Sequence, residues 1–181
     1  MKQWAIKRGD IPEALKHAEQ LFQIHPTISV YEEVRSLAQQ LGSWGQMCPH
    51  LIRRIEGEKQ YALLMEIYLL EEEIDAALNM VRHPPGLAGA WEGSPLSLRV
   101  ARAAEASRPH EAIILYVAGV ERLIKARDRK NYAQAVEYLS RVRELYLRLG
   151  EEKAWQSFIA DLRDKNRRLS ALKEELNRAG L

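Results

Sequence analysis

The chain has 181 residues, of which 46% are hydrophobic and 29% charged, and its mean hydropathy is -0.37. Such a composition excludes a disordered chain and a membrane-spanning protein, and the length supports one globular unit or about five helical hairpins. The single cysteine, Cys48, excludes an internal disulfide. Together with the absence of a signal-like apolar start, it predicts a cytoplasmic protein.

The formal net charge is only +2, but it is unevenly distributed. Residues 1–90 carry 9 Lys/Arg against 12 Asp/Glu, whereas residues 91–181 carry 18 against 13. The basic excess in the second half permits an anionic partner. Solvated helix faces are the favoured explanation, because paired charges commonly decorate exposed helices.

Apolar residues recur at helical spacing along the chain, and no stretch alternates for long enough to indicate a strand. A turn or capping residue followed by a helix with small early residues appears at 9–15, 73–78 and 130–136. Equivalent positions at 33-, 30- and 35-residue spacings suit a helical hairpin repeat, and they are Ala14, Met47, Ala77 and Ala112. We predict an all-α fold, an α-solenoid of stacked antiparallel helical hairpins of tetratricopeptide-like type, with roughly nine helices.

The first segment, residues 1–8, has the pattern of a last helical turn that Gly9 stops, and no capping residue precedes it. We therefore expect the chain to be a fragment of a longer protein, and the alternative is a short, frayed N-terminal helix. A helix is predicted from Asp10 to about Ile24, and Pro26 ends it. Its partner helix, capped by Thr27 or Ser29, extends to Gly42 and completes a hairpin.

Three further helices are predicted at 43–57, 59–71 and 74–82. Residues 83–95 contain three prolines and three glycines, a composition that cannot continue a helix. A domain boundary and a solenoid loop both fit this break. We assign residues 1–181 to one helical repeat domain, with Trp91 docking on the helices to pin the loop.

Four helices are predicted beyond the break, at 96–106, 109–127, 132–149 and 151–179. An apolar stripe on the last one recurs every seven residues, at Trp155, Leu162, Leu169 and Leu176. We expect this stripe to pack on the preceding helix across a tight turn at Gly150.

No local motif supplies catalytic chemistry, since the chain lacks a glycine-rich phosphate loop, a nucleophile elbow and an H-E-x-x-H helix. The five histidines form no i,i+3 or i,i+4 pair. Cys48 and His50 are a lone pair, whereas a structural zinc site needs four ligands. We predict a protein without enzymatic activity, cofactor or metal, although a site built from residues distant in sequence is not excluded by this argument.

Basic residues cluster near the end of one predicted helix and on the last one. If both groups share a face, they form a strip that contacts phosphates, although stacking aromatics are not interleaved with it. This basic strip comprises Arg122, Lys125, Arg127, Arg129, Lys130, Arg163, Lys165, Arg167 and Arg168. The alternative is that Arg127, Arg129 and Lys130 lie at a helix C-terminus, where cations favour the macrodipole.

The segments RKNYAQAVEYL (129–139), LYLRLG (145–150) and FIADLR (158–163), with Trp155, resemble the helical region that follows the zinc finger in bacterial SWIM-type zinc-finger proteins. Residues 64–70 and 74–78 are similar to the middle of that region. The resemblance implies a tetratricopeptide-like scaffold attached to a finger that binds DNA or protein. The family's finger contains Cys-x-Cys and then Cys-x-His, so this one-cysteine chain offers no finger residue.

Two functions follow as hypotheses. The first is a non-catalytic protein-interaction scaffold that binds a protein or peptide partner in a helical groove, as solenoids commonly do. The alternative is a nucleic-acid-binding helical module that uses the basic strip. Neither involves a membrane.

Overall fold

The computed structural model describes residues 10–84 and 91–181. Within these ranges it contains ten α-helices and no strand, which confirms the all-α prediction. The helices form two compact units that divide between Glu73 and Ile74, ahead of the proline- and glycine-rich break. The helix predicted at 1–8 lies outside the described residues.

The first unit contains four helices of 10 to 14 residues. They are α1 (Ile11–Ile24), α2 (Ile28–Gln40), α3 (Trp44–Gly57) and α4 (Tyr61–Leu70). Both α1 and α3 pack against α2, and α4 packs against α3 and α2.

The second unit contains six helices, the longest of 20 residues. They are α5 (Ile74–Arg82), α6 (Pro95–Ala104), α7 (Pro109–Lys125), α8 (Arg129–Arg148), α9 (Glu152–Lys165) and α10 (Ser170–Arg178). The most extensive contact is between α7 and α8, and α8 also packs against α9 and α10.

Side-chain caps start several helices where short polar residues precede them. The Asp10 carboxylate accepts a hydrogen bond from the Glu13 amide, and Thr27 Oγ1 accepts one from the Val30 amide. Both caps confirm the predicted helix starts. Ser43, in contrast, makes no cap hydrogen bond, because its hydroxyl donates to the Ala38 carbonyl of the preceding helix.

One turn recurs at the ends of α2, α3, α4, α8 and α10. In each turn two amides bond back to the helix, as Gly42 N–H does to Gln39 O and Ser43 N–H to Ala38 O. The residue after the cap adopts a left-handed conformation, which glycine tolerates best. Glycine occupies it at 42, 150 and 180, whereas Lys59 and Glu72 occupy it with φ of 57° and 60°.

One alanine is packed in each copy of the repeated phrase, and so is the alanine at the equivalent position 112. Ala14, Ala77, Ala112 and Ala135 have no exposed surface. Because each alanine lies in an early turn, a neighbouring helix approaches closely there. This burial explains why the phrase recurs in the sequence.

The final predicted helix, 151–179, is wrong as a single element. It is broken between α9 and α10, and Asn166 lies at the break. The Asn166 side-chain amide donates to the Leu162 carbonyl at 2.8 Å, an interaction that competes with continuation of the helix. Trp155, Leu162 and Leu176 are buried as predicted, but Leu169 lies at the break and is half-buried.

Gly93, in the part of the proline- and glycine-rich break that the structure describes after residue 90, lies against α7. Gly93 has φ of 62°, its carbonyl accepts a hydrogen bond from Arg122 Nη1, and a side chain there would meet the Ala118 carbonyl at 2.7 Å. Gly119 on the same helix leaves room for Leu98 of α6. Trp91 is half-buried, and the part of the break at 85–90 lies outside the described residues.

Candidate binding groove

A groove runs between α7 and α9, because both helices pack on α8. At their N-terminal ends they are linked by His110 Nε2 and Glu151 Oε1, which lie 2.9 Å apart. Toward their C-terminal ends they line a cavity of about 480 Å³. The two helices therefore run side by side in the same direction.

The floor of this α7/α9 groove is apolar. Ile124 and Leu162 form its buried base, each with 7% of its surface exposed. Val117, Phe158 and Leu169 are half-buried and present apolar surface to the opening. Binding sites commonly combine such a floor with a few polar groups at the edge.

The rim of the groove carries charges in two layers. Glu121 and Asp161 face each other across the groove, and Lys125 and Lys165 follow one helical turn later. All four side chains are exposed, and none makes a hydrogen bond or ion pair within the described residues. These charges are therefore available to a ligand.

A second concavity, of about 430 Å³, adjoins the basic end of the groove. It lies at the break between α9 and α10, and we call it the basic concavity. Its lining is Arg127, Asp164, Lys165, Asn166, Arg167, Arg168 and Leu169. The lone acid, Asp164, lies 3.5 Å from Arg167, so three of the four cations have no paired acid in the described part of the chain.

The structure thus brings five residues of the predicted strip to one place: Lys125, Arg127, Lys165, Arg167 and Arg168. The other four point elsewhere. Arg122 donates a hydrogen bond to the Gly93 carbonyl, and Arg129 forms ion pairs with Glu174 and Glu175. Arg163 donates to the Asn177 side chain and to the Leu181 carbonyl, and Lys130 is exposed.

The alternative prediction placed Arg127, Arg129 and Lys130 at a helix C-terminus. It is correct for Arg127 and wrong for Arg129 and Lys130. Those two begin α8, and the Asp128 carboxylate caps that helix by accepting from the Lys130 amide at 2.7 Å. A helix N-terminus disfavours cations. The carboxylates of Glu174 and Glu175 from α10 compensate Arg129 there.

A smaller groove of about 280 Å³ lies between α1 and α3 in the first unit. Its lining includes Gln23, Met47 and the basic residue Arg54. Arg54 Nη2 donates to the Gln23 carbonyl at 2.8 Å, and Nε donates to Glu58 at 2.7 Å. This α1/α3 groove is therefore bridged by its own cation.

Sequence reasoning missed a polar cluster in the first unit, which we call the Glu71 node. The Tyr31 hydroxyl donates to Glu71 at 3.3 Å, Trp44 Nε1 donates at 3.4 Å, and Arg35 Nε lies 3.0 Å away in an ion pair without hydrogen-bond alignment. Burial raises the pKa of Tyr31 far above its ordinary value, and the hydrogen bonds and negative charges of Cys48 and Glu71 raise it further. Burial likewise raises the pKa of the Cys48 thiol, so this cysteine is not an activated nucleophile.

The second unit contains a comparable cluster, the Glu105 node. The Tyr116 hydroxyl donates to Glu105 at 2.5 Å, and Arg141 Nη1 donates to the same oxygen at 3.0 Å. Burial and then the hydrogen bond to Glu105 raise the pKa of Tyr116. Neither node opens into a groove described above, so both stabilise helix packing.

In the part of the chain that the structure describes, no group of three or more His, Cys, Asp or Glu side chains has the arrangement of a metal site. Among the same residues, no helix has both the length and the apolar character needed to span a bilayer.

Comparison with known proteins gives one partial similarity. A stretch of 76 residues is 36% identical to YwqB of Bacillus subtilis (strain 168), which is described as an uncharacterized protein. The stretch covers 42% of this chain and 14% of the length of YwqB, so the relative is much the longer protein. No family model matches the chain, and no solved structure matches it.

Proposed function

We propose that this protein is a non-catalytic interaction module that binds a peptide segment of a partner protein in the α7/α9 groove. One observation carries the proposal: an apolar floor at Val117, Phe158 and Leu169 is open to solvent, between rim charges that the fold does not use. Because exposed apolar surface rimmed by polar residues is typical of interaction sites, the groove is the natural binding face.

The arrangement of the helices supports the same proposal. Helices α7, α8 and α9 follow one another through short turns, as helical hairpins do, and the outer pair faces the groove. The recurring turn and the buried alanines are further features of a repeat architecture. We therefore propose the tetratricopeptide-like α-solenoid as the finer description of the all-helical fold.

We also propose that the chain is the helical part of a SWIM-type zinc-finger protein. The support is the resemblance of the segments at 129–139, 145–150 and 158–163. The test is whether the gene encodes a Cys-x-Cys and Cys-x-His finger upstream of this region. A complete gene without such a finger contradicts the proposal.

Selection of peptides tests the interaction module. The purified chain is used to select from a displayed library of peptides of about 16 residues, roughly four helical turns. We expect binders whose Kd rises at least about tenfold with Phe158→Asp, because a charge on the floor removes the apolar contact.

The matched control is Leu147→Asp. Leu147 lies on α8 with 43% of its surface exposed, and it does not line the groove. We expect this variant to bind selected peptides as the parent chain does. Failure to select any peptide, or equal loss with both variants, contradicts the proposed function.

The alternative is nucleic-acid binding, and the basic concavity is the observation that favours it. Arg127, Lys165, Arg167 and Arg168 line one cavity, and such a cluster contacts phosphates with release of counterions. Single-stranded RNA or duplex DNA should then bind with an affinity that falls steeply as salt rises. Charge reversal at Arg167 and Arg168 should abolish binding, and a gel shift without complex at low salt eliminates this alternative.

A further inference from the structure

We propose that the α7/α9 groove selects an amphipathic helix of one charge order: a basic side chain that meets Glu121 and Asp161, followed one turn later, toward the C-terminal ends of α7 and α9, by an acidic side chain that meets Lys125 and Lys165. The inference rests on the proposed function and specifies the chemistry of the partner. It is carried by the position of the rim charges relative to the apolar floor.

The charges are layered in the same sense on both walls. Glu121 precedes Lys125 by four residues on α7, and Asp161 precedes Lys165 by four residues on α9. Because the helices run in the same direction, the two acids lie at one level and the two lysines at the next. The levels are separated by one helical turn, about 5.4 Å.

The separation of the levels matches the spacing of side chains on a bound helix. Residues three or four apart on a helix lie on one face, so a cation near Glu121 and Asp161 places a carboxylate of the next turn near Lys125 and Lys165. Arg127 extends the basic level into the basic concavity, which provides for further acids. The matching charges fix the direction in which the helix lies.

The floor supplies the apolar part of the match. Val117 and Ile124 are seven residues apart on α7, and Phe158 and Leu162 are four apart on α9. These residues therefore extend over about two turns of α7 and one turn of α9. An amphipathic helix places apolar residues at i, i+3, i+4 and i+7 into such a groove.

The acidic level distinguishes this partner from nucleic acid. Glu121 and Asp161 are exposed and unpaired among the described residues, so a phosphate chain lying along the groove meets two repelling carboxylates. A peptide avoids this repulsion with one lysine or arginine. The groove as a whole therefore favours a peptide, although the basic concavity alone would accept phosphate.

The experiment compares two synthetic peptides of identical composition. One is a helical sequence chosen from the displayed library by the full chain, and the other has its basic and acidic residues exchanged. We expect the peptide with its basic side chain one turn ahead of its acidic one to bind at least about tenfold more tightly, since the layered contacts change from attraction to repulsion when the exchanged peptide lies in the direction of the selected helix. Fluorescence anisotropy at fixed salt measures both values of Kd.

A variant with reversed layers provides the decisive comparison. In it Glu121→Lys and Asp161→Lys are combined with Lys125→Glu and Lys165→Glu, so net charge and floor are unchanged. We expect the preference between the two peptides to invert. The control, Lys130→Glu with Lys153→Glu, alters exposed lysines outside the groove and should leave the preference intact.

Each result has one meaning for the inference, provided that circular dichroism shows each variant folded. Inversion of the preference supports the charge order. Peptides that are lost with Phe158→Asp but bind equally in both charge orders overturn it and leave the interaction module standing. Selection of no peptide overturns both the charge order and the interaction module. A single-stranded RNA that displaces the peptide from the parent chain, but not from the reversed variant, overturns the assignment of the groove to a peptide.

Discussion

The two units contain similar grooves that use their cations differently. In the α1/α3 groove, Arg54 bridges to the Gln23 carbonyl and to Glu58, so the charge holds the helices together. In the α7/α9 groove, Lys125, Arg127 and Lys165 make no hydrogen bond or ion pair within the described residues. The difference separates a groove whose charge stabilises the fold from one whose charges remain available for binding.

In each unit the last helix of the groove, α3 or α9, is held on the central helix by a pair of aromatic side chains. Trp44 of α3 packs edge-on against Tyr31 of α2 at 5.4 Å, and Trp155 of α9 packs against Tyr146 of α8 at 6.4 Å. Trp155 also contacts Phe158 of the groove floor. An aromatic pair thus fixes each outer helix on its central helix.

The largest expected effect on stability comes from removing the tryptophan of each aromatic pair, which we call the aromatic anchor. Trp155→Ala should lower the free energy of unfolding by about 3 to 5 kcal/mol, because a buried side chain with 7% exposure leaves a cavity. Trp44→Ala should cost about half as much, since Trp44 is only half-buried. Urea denaturation followed by circular dichroism measures both losses.

Ile114→Ala is the control for this pair, because Ile114 has 60% of its surface exposed. It should change stability by less than about 0.5 kcal/mol. If Trp155→Ala proves no more harmful than Ile114→Ala, the second unit does not depend on its aromatic anchor and the comparison between the units fails.

The two nodes predict a loss of stability at alkaline pH. Tyr31 and Tyr116 have a raised pKa in the folded chain, so between about pH 10 and that raised pKa only the unfolded chain releases the proton. Their contribution is fully present below about pH 10 and is lost above it, by up to about 1.4 kcal/mol per pH unit for each tyrosine. The raised pKa of Cys48 acts with the same sign in the first unit.

Thermal denaturation across this pH range measures the effect. Tyr31→Phe and Tyr116→Phe should each flatten the decline, while lowering stability at neutral pH by about 1 kcal/mol through loss of a hydrogen bond. A decline of the same slope in the Tyr31→Phe, Tyr116→Phe double variant would show that the nodes do not control it.

The smallest expected effect is on the cations themselves. Arg54→Ala should lower the free energy of unfolding by about 0.5 to 1.5 kcal/mol, because it removes the hydrogen bond to the Gln23 carbonyl that crosses the α1/α3 groove and the local bond to Glu58. Lys165→Ala should change it by less than about 0.5 kcal/mol, because Lys165 makes no hydrogen bond or ion pair with any residue that the structure describes. A larger loss with Lys165→Ala than with Arg54→Ala reverses the proposed division of roles.

Much of the helical framework was predictable from residues that act locally. Asp10 and Thr27 cap the helices that they precede, and Gly42 and Gly150 end helices in the left-handed conformation. Each of these effects depends on neighbours within a few positions. The helical spacing of apolar residues likewise reports burial directly.

The break between α9 and α10 was missed because the apolar stripe of Trp155, Leu162 and Leu176 continues through it. The only local sign was Asn166, whose side chain bonds to a carbonyl four residues back. Since that break shapes the basic concavity, the site could be predicted only in part. The four cations that line the basic concavity, and Lys125 in the adjoining groove, were all among the nine predicted residues.

The Glu71 node was beyond sequence reasoning for a different reason. Tyr31, Trp44 and Glu71 lie on three different elements, and their convergence depends on how the helices pack. No spacing within one helix indicates such a meeting. The same holds for Tyr116 and Arg141 around Glu105.

The close approach around Gly93 and Gly119 has an evolutionary corollary. A methyl group at position 93 would collide with the main chain of α7, and a change of a neighbouring side chain cannot remove that collision. Homologues that keep this loop geometry should therefore keep glycine there. At 119 the obstacle is the tip of the Leu98 side chain, which a shorter residue would remove. An alignment of related chains should therefore show position 93 invariant and positions 98 and 119 changing together.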